Sequence, residues 1–178
     1  MSRPSRTKEV LRKAAKQVSY EIDMLGFSAE YVGGWYSSPF ATPVGNEKNM
    51  ALESFLLHFR NQRAFLCPSL QTVSDDDVLA SDFLGKHDAL DVGNPDKLKV
   101  DKKRLDKMLA HISYSRSDYI EAGAHGWDSS QMLILMLSEF QEFLARLSGE
   151  QRAWFPSEES LKKLLERAQF EIDQRGPP

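Results

Sequence analysis

The sequence contains a single cysteine, Cys67, among its 178 residues. One thiol excludes an intrachain disulfide and any zinc site built from several thiolates, and such scarcity is typical of a reducing compartment. No apolar run approaches the ~20 residues that a membrane-spanning helix needs. The basic N-terminus also lacks the apolar stretch of a secretory signal. These absences predict a cytoplasmic protein with no membrane segment.

Motifs for metals and nucleotides are also missing. The four histidines do not have the spacing of a compact zinc site. The run from Asp75 to Asp77 lacks the glycine and the terminal glutamate of a calcium-binding loop, and no glycine-rich phosphate loop follows a strand. We therefore predict no cofactor and no metal, and we interpret the three aspartates as the start of a helix.

Charge is low and mixed in sign. The net charge is −3, which argues against a surface built wholly for nucleic acid. Residues 1–17 are the exception, because six cations stand there against the single anion Glu9. These cations fall on the polar side of the first predicted helix, so a solvated face explains them, with contact to a polyanion as the alternative.

The periodicity of apolar residues is helical throughout. Strand-like alternation is nearly absent, so the sequence predicts an all-α bundle of about six helices. We expect one domain spanning 1–178, with flexible tails at 1–4 and 175–178. A long irregular loop is expected over 27–48, because Gly26 provides a stop and no helical period follows it.

The predicted helices carry signals at their ends. They cover 5–25, 49–66, a short stretch within 75–84, a stretch that begins at Asp101, 128–147 and a last segment from Ser157. Pro68 ends the second of them. Asp128 with Gln131 caps the start of the fifth, and Gly149 is expected to end it.

The predicted helix 49–66 is the most informative segment. Phe55, Leu56 and Phe59 fall on one side of it, while other apolar residues lie elsewhere around the helix. We therefore expect a central, mostly buried helix with these three residues almost fully buried. Its polar side chains then need partners, because burial of an unsatisfied polar group is unfavourable.

Polar side chains on the helices form three groups. Glu53 and Arg60 are seven residues apart and share one face of the central helix. Ser54, His58 and Asn61 follow one another along a second face. The third group belongs to the helix that begins at Asp101 and comprises Arg104, His111, Tyr114 and Arg116.

Two interpretations explain these groups. In the structural one, Arg60 pairs with Glu53 or with the acidic cluster Asp75 to Asp82, and His58 is a hydrogen-bonded core histidine. In the functional one, these polar groups and His111 line a shared pocket that recognises an anion. The residues by themselves leave both interpretations open.

Several strings resemble a family of uncharacterised bacterial helical proteins. They are ESFLLHFRN, DDDVLASDF, LDKMLAHISYSR and the downstream GWD. The similarity spans about Leu11 to Trp127, most of the chain. It implies a helical fold and a bacterial protein, and it implies little about chemistry.

A second resemblance is to the HEPN superfamily, α-helical and often dimeric proteins found in RNA-cleaving toxins and phage-defence systems. Its signature is an arginine followed after four to six residues by a histidine, commonly with a polar residue directly after the arginine. Arg104 stands six intervening residues before His111, although Leu105 follows it, whereas the pair Arg60 and Asn61 has no histidine at that spacing. Each half of the signature therefore lies on a different helix.

The HEPN resemblance implies metal-independent chemistry at a phosphodiester. The arginine neutralises the scissile phosphate, and the histidine aids proton transfer at the 2′-hydroxyl. Carried onto this chain, it predicts Arg60, Asn61, Arg104 and His111 as catalytic residues. The accompanying binding residues would be Glu53, His58, Tyr114 and Arg116.

Two functions therefore compete. One is a HEPN-like protein that binds or cuts RNA, acts in toxin or defence systems and forms a homodimer. The other is a non-catalytic helical interaction or scaffold protein, in which the same polar residues are internal hydrogen-bonding pegs. Whether the chain is an enzyme is left open by the sequence.

Overall fold

Helices account for all the regular structure in the residues that can be described. The computed structural model describes residues 3–33, 46–85, 90–99 and 127–175, together with Leu105 and Leu109, which are both helical. The α-helices are α1 (Lys8–Gly33), α2 (Asn46–Leu66), α3 (Ala80–Phe83), α4 (Ser129–Ala145), α5 (Gly149–Arg152) and α6 (Glu158–Arg175), and a 3-10 turn spans Pro68–Leu70. No strand occurs in these segments, so the predicted all-α bundle is confirmed.

Helix α1 continues through the glycine that was expected to end it. Gly26 is buried within α1, and a Cβ placed on it would lie 2.9 Å from Cδ2 of Leu164 on α6. The absence of a side chain lets α6 approach closely, so packing outweighs the low helix propensity of glycine. The predicted loop 27–48 is therefore wrong at both ends, since 27–33 and 46–48 are helical. Its middle, 34–45, lies outside the described residues.

Helix α2 packs antiparallel against α1. Gln62 Nε2 donates to the Val18 carbonyl at 2.8 Å, and Ser28 Oγ donates to Ser54 Oγ at 2.8 Å. Because the later residue of α1 meets the earlier residue of α2, the two helices run in opposite directions. The predicted bounds of α2 are confirmed to within a turn at its start, and Pro68 follows its end.

Helix α2 is mostly buried, as predicted, and one side of it is exposed. Phe55, Leu56 and Phe59 have at most 1% of their surface exposed. Leu57 and Met50, in contrast, are exposed on the other side of the helix. Thirteen of the eighteen residues of 49–66 are buried or half-buried, which agrees with the expected mostly buried helix, and α2 forms the edge of the bundle on the side of Leu57.

The short helix α3 is shorter than the sequence indicated. It covers only Ala80–Phe83, and Asp82 caps it by accepting a hydrogen bond from the Leu79 amide at 3.0 Å. The aspartates interpreted as a helix start instead form a turn, in which Ser74 N donates to Asp77 Oδ2 at 2.7 Å. Local hydrogen bonding of this kind competes with helix formation.

Helix α4 begins as expected. Asp128 Oδ1 accepts a hydrogen bond from the Gln131 amide at 3.0 Å, which satisfies an amide that has no partner within the helix. Its buried stripe comprises Leu133, Leu137, Phe140 and Leu144. Gly149 does not end α4, which stops at Ala145; it begins the single-turn helix α5.

The core joins α2, α3 and α4 through aromatic rings. Phe65 and Phe143 have ring centroids 5.2 Å apart and meet edge to face, and Phe83 and Phe155 pack at 5.3 Å. Leu105 is fully buried in the same core. This core holds α2 in place in the bundle. The parts of α1 and α2 that lie outside the core can carry polar groups.

None of the helices in the described parts of the chain is both long and apolar enough to cross a membrane.

Candidate functional site

The predicted catalytic residues divide between described and undescribed parts of the chain. Arg104, His111, Tyr114 and Arg116 lie outside the described residues. The predicted meeting of Arg60 with His111 therefore stays a prediction. The site can be built from α2, which carries the other half of the predicted set: Glu53, His58, Arg60 and Asn61.

These four residues of α2 do not share one environment. His58 is buried, Arg60 is half-buried, and Glu53 and Asn61 are exposed. The imidazole and the amide point toward α1. The structure therefore groups His58 and Asn61 and separates them from Glu53, as the helical spacing predicts.

A carboxylate of α1 joins the imidazole and the amide. Glu21 Oε2 lies 2.6 Å from Nδ1 of His58 and accepts a hydrogen bond from Nδ2 of Asn61 at 3.0 Å. The His58 side chain is 9% exposed and that of Glu21 is 25% exposed. Tyr20 meets the His58 ring edge to face, with centroids 5.9 Å apart. We call Glu21, His58 and Asn61 the interhelical triad.

The remaining polar residues on this side of α2 are also bonded to α1. Ser54 accepts from the Ser28 hydroxyl, and Gln62 donates to a backbone carbonyl of α1. The stripe that the sequence singled out is thus a row of interhelical hydrogen bonds. Buried or half-buried polar groups satisfied in this way fix the register of two helices.

Glu21 is the member of the triad that sequence reasoning missed. It stands next to Ile22 in the apolar stripe of α1, and it is a single carboxylate with no motif around it. Its position beside a buried stripe was a weak signal that it needs a partner. The identity of that partner depends on how α1 and α2 are aligned, which the sequence does not state.

The acidic cluster proposed as a partner for Arg60 contacts the N-terminal arginines. Arg3 donates to the Asp77 carbonyl and lies 3.7 Å from the Asp82 carboxylate, and Arg6 donates to the Asp75 carbonyl. Arg3 is buried. These contacts tie the beginning of the chain to the turn before α3.

Part of the basic N-terminal face is neutralised by ion pairs. Lys8 Nζ lies 2.6 Å from Glu150, and Lys13 Nζ lies 2.8 Å from Glu9 one helical turn away. Exposed pairs of this kind contribute little to stability. They do lower the local positive charge that would attract a polyanion.

A buried carboxylate on α4 forms a second polar cluster. Glu139 accepts from the Asn94 amide at 2.8 Å and from Lys97 Nζ at 2.8 Å. The hydrogen bond to Glu139 raises the pKa of Lys97. This cluster holds the segment 90–98 against the bundle. The sequence did not predict it, because an isolated glutamate in a helical pattern is typical of a surface residue.

Cys67 has no features of a nucleophile. It is fully buried, and burial, reinforced by the nearby Asp91 and Glu139 carboxylates, raises the pKa of its thiol to about 12. A thiol in this state is protonated at neutral pH and is poorly reactive. Cys67 therefore fills space in the core.

The described segments contain no cluster of three or more His, Cys, Asp and Glu side chains that could hold a metal ion. A groove of about 380 Å³ lies between the C-terminal part of α1 and the N-terminal part of α2. Its lining is largely apolar and includes Met24, Tyr31, Met50 and Ala51. This groove therefore offers mainly apolar surface, and the carboxylate of Glu47 also lines it.

The outward side of the α1/α2 pair carries large apolar side chains. Tyr20 and Phe27 are 56% and 46% exposed on α1, and Met50 and Leu57 are 68% and 43% exposed on α2. We call these four residues the outer face. They account for four of the seven large hydrophobic side chains that are exposed in the described residues.

Comparison of the chain with known protein families, with curated proteins and with solved structures finds no match. The two family resemblances drawn from the sequence therefore stay predictions.

Proposed function

We propose that this chain is a non-catalytic helical interaction protein that binds its partner through the outer face. The observation that carries the proposal is the clustering of Tyr20, Phe27, Met50 and Leu57 on one side of α1 and α2. Single exposed apolar residues are normal on a protein surface. A contiguous group of them is typical of a surface that binds another macromolecule.

The hydrogen bonds of α2 support a structural role for its polar residues. The functional interpretation needs His58 and Asn61 to be available to a ligand, yet both are bonded to Glu21. Breaking those bonds to bind RNA would leave a half-buried carboxylate without its donors, which is unfavourable. HEPN-like activity stays a prediction that depends on Arg104 and His111.

The proposal is tested first by the stability of an outer-face variant. Leu57→Glu should change the free energy of unfolding by less than about 0.5 kcal/mol, because an exposed side chain makes few internal contacts and both residues favour helix. Urea unfolding followed by circular dichroism measures this. A loss comparable to that of a core variant would mean that Leu57 packs within the chain and that the outer face is no binding surface.

RNA provides the second test. Purified protein incubated with single-stranded RNA in EDTA should leave the RNA intact and should not alter its fluorescence anisotropy. EDTA-insensitive cleavage that disappears in Arg60→Ala and in His111→Ala, with helicity retained in both, would overturn the proposal. That outcome would establish the HEPN-like interpretation instead.

A further inference from the structure

We propose that the segment 74–82 is a binding site for a peptide that carries two arginines three residues apart, and that residues 3–7 of this chain occupy the site as an autoinhibitory ligand. We call 74–82 the acidic turn and 3–7 the arm. The arm is the non-helical stretch directly before α1. The proposal goes beyond the proposed function, because none of these residues belongs to the outer face.

Two arginines of the arm converge on the acidic turn. Arg3 Nη2 donates to the backbone carbonyl of Asp75 at 3.5 Å and to that of Asp77. Arg6 donates to the same Asp75 carbonyl. The Arg3 guanidinium also lies 3.7 Å from the Asp82 carboxylate, and both of these side chains are 7% exposed. The acidic turn therefore already holds a buried guanidinium, and this bound group indicates the chemistry of the ligand.

The acidic turn is held in shape by its own hydrogen bonds. Asp77 N donates to the Ser74 carbonyl at 3.3 Å, and Ser74 N donates to Asp77 Oδ2 at 2.7 Å. Asp82 Oδ2 accepts from the amide of the buried Leu79 at 3.0 Å, which fixes the same oxygen that faces Arg3. None of these bonds involves the arm. We therefore expect the site to keep its shape when the arm is displaced.

The arm, in contrast, is bound through its side chains. In the described parts of the chain, no backbone–backbone hydrogen bond joins the arm to the acidic turn. Pro4 and Ser5, which separate the two arginines, are exposed. A segment held in this way is bound like a peptide on a surface, so a second peptide with the same arginines competes with it by mass action.

Burial of the ion pair favours arginine over lysine as the ligand. Binding removes the cation from water, because the side chains of Arg3 and Asp82 are both more than nine-tenths covered. A guanidinium is more weakly hydrated than an ammonium, so its transfer from water is less unfavourable. The acidic turn also contains four aspartates and no cation. It therefore attracts a basic peptide and then selects arginine at the buried position.

The arm should weaken the binding of any such peptide to the wild type. It is joined directly to α1, and a short tether of this kind gives an effective concentration of about 1 mM. A peptide that binds the vacated site with a Kd of about 100 μM should then bind the wild type about tenfold more weakly. This competition is the autoinhibition that we propose.

Fluorescence anisotropy of a labelled peptide tests the proposal. The peptide has the sequence of residues 2–8, and the receptor is the full chain with Arg3→Ala and Arg6→Ala, whose arm no longer carries the two guanidinium groups. We expect saturable binding that is about tenfold tighter than binding to the wild type. A peptide in which both arginines are replaced by lysine should bind about tenfold more weakly.

Two further substitutions in the same receptor locate the site. Asp82→Asn keeps an oxygen that can cap α3 and removes the charge that pairs with the guanidinium, so it should weaken peptide binding at least about fivefold. Glu158→Gln is the matched control, because it removes one exposed carboxylate at the start of α6 and leaves the acidic turn intact. It should leave the Kd unchanged. Circular dichroism checks the fold of each receptor.

A second receptor is used if Arg3→Ala with Arg6→Ala unfolds the chain. Arg3→Lys with Arg6→Lys keeps both positive charges, and the arginine peptide should displace its lysine arm. A folded receptor of either kind that does not bind the arginine peptide overturns the proposal. Equal binding to the wild type and to the receptor also overturns it, because the arm would then not occupy the site. Equal binding of the lysine peptide would show that charge attraction alone is responsible, which contradicts the selection of arginine.

Discussion

The interhelical triad gives the sharpest test of how this bundle is held together. A double-mutant cycle with Glu21→Ala, His58→Ala and the double variant should yield a coupling free energy of about 1–2 kcal/mol. The coupling arises because Nδ1 of His58 lies 2.6 Å from the Glu21 carboxylate. Each single variant removes this contact, so the double variant should lose less than the sum of the two.

The magnitude follows from burial. A hydrogen bond to a charged group contributes about 1.5–3 kcal/mol, and the exposure of a quarter of the Glu21 side chain places the value toward the lower end. His58→Ala alone should cost about 2–4 kcal/mol, because it also removes a buried ring that packs edge to face on Tyr20. Asn61→Ala should cost less, since Asn61 is exposed.

Urea unfolding monitored by circular dichroism measures all four variants, with linear extrapolation to water. The ion pair between Lys8 and Glu150, which also joins two helices and in which both side chains are mostly exposed, is the control cycle and should give under about 1 kcal/mol. If the coupling free energy of Glu21 with His58 is below about 0.3 kcal/mol, or if His58→Ala leaves the free energy of unfolding unchanged, His58 does not stabilise the bundle. The functional interpretation, in which the polar residues of α2 line a pocket that recognises an anion, would then be favoured.

Three further predictions concern the core. Phe59→Ala should lower the free energy of unfolding by roughly 3–5 kcal/mol, because Phe59 is 1% exposed; a loss under 1 kcal/mol would contradict its place in the core. Gly26→Val should cost about 1–3 kcal/mol in the same assay, since its Cβ would lie 2.9 Å from Leu164, and an unchanged stability would mean that α6 does not pack there. Cys67 should resist alkylation at pH 8 in the native protein and react in urea, because burial raises its pKa to about 12; rapid native labelling, read by mass spectrometry, would refute this.

The periodicity of the sequence determined the helices and their buried sides. Helical spacing of apolar residues identifies the face that must leave water, whatever it packs against. Phe55, Leu56 and Phe59 were predicted and are buried for this reason. The cap at Asp128 was equally predictable, because its hydrogen bond reaches only three residues along the chain.

Where local preference and packing compete, a helix boundary predicted from the sequence is wrong. Gly26 favours a helix end by about 1 kcal/mol at most relative to alanine, and the close approach of Leu164 outweighs it. The aspartates before α3 favour a helix start, yet Ser74 and the N-terminal arginines take up their polar groups in a turn. The first outcome depends on a residue far away in the chain, and the second depends on the distant N-terminal arginines together with a local hydrogen bond.

Half of the candidate site, the part on α2, could be predicted from the sequence, and its partner on α1 could not. Helical spacing placed Ser54, His58 and Asn61 on one face and required partners for them. Their partner Glu21 is 37 residues from His58 in sequence, and only the antiparallel register of α1 on α2 brings the two together. The exposure of Leu57 was likewise decided by tertiary structure, because a helical wheel shows which residues share a side and does not show which side lies at the edge of the bundle.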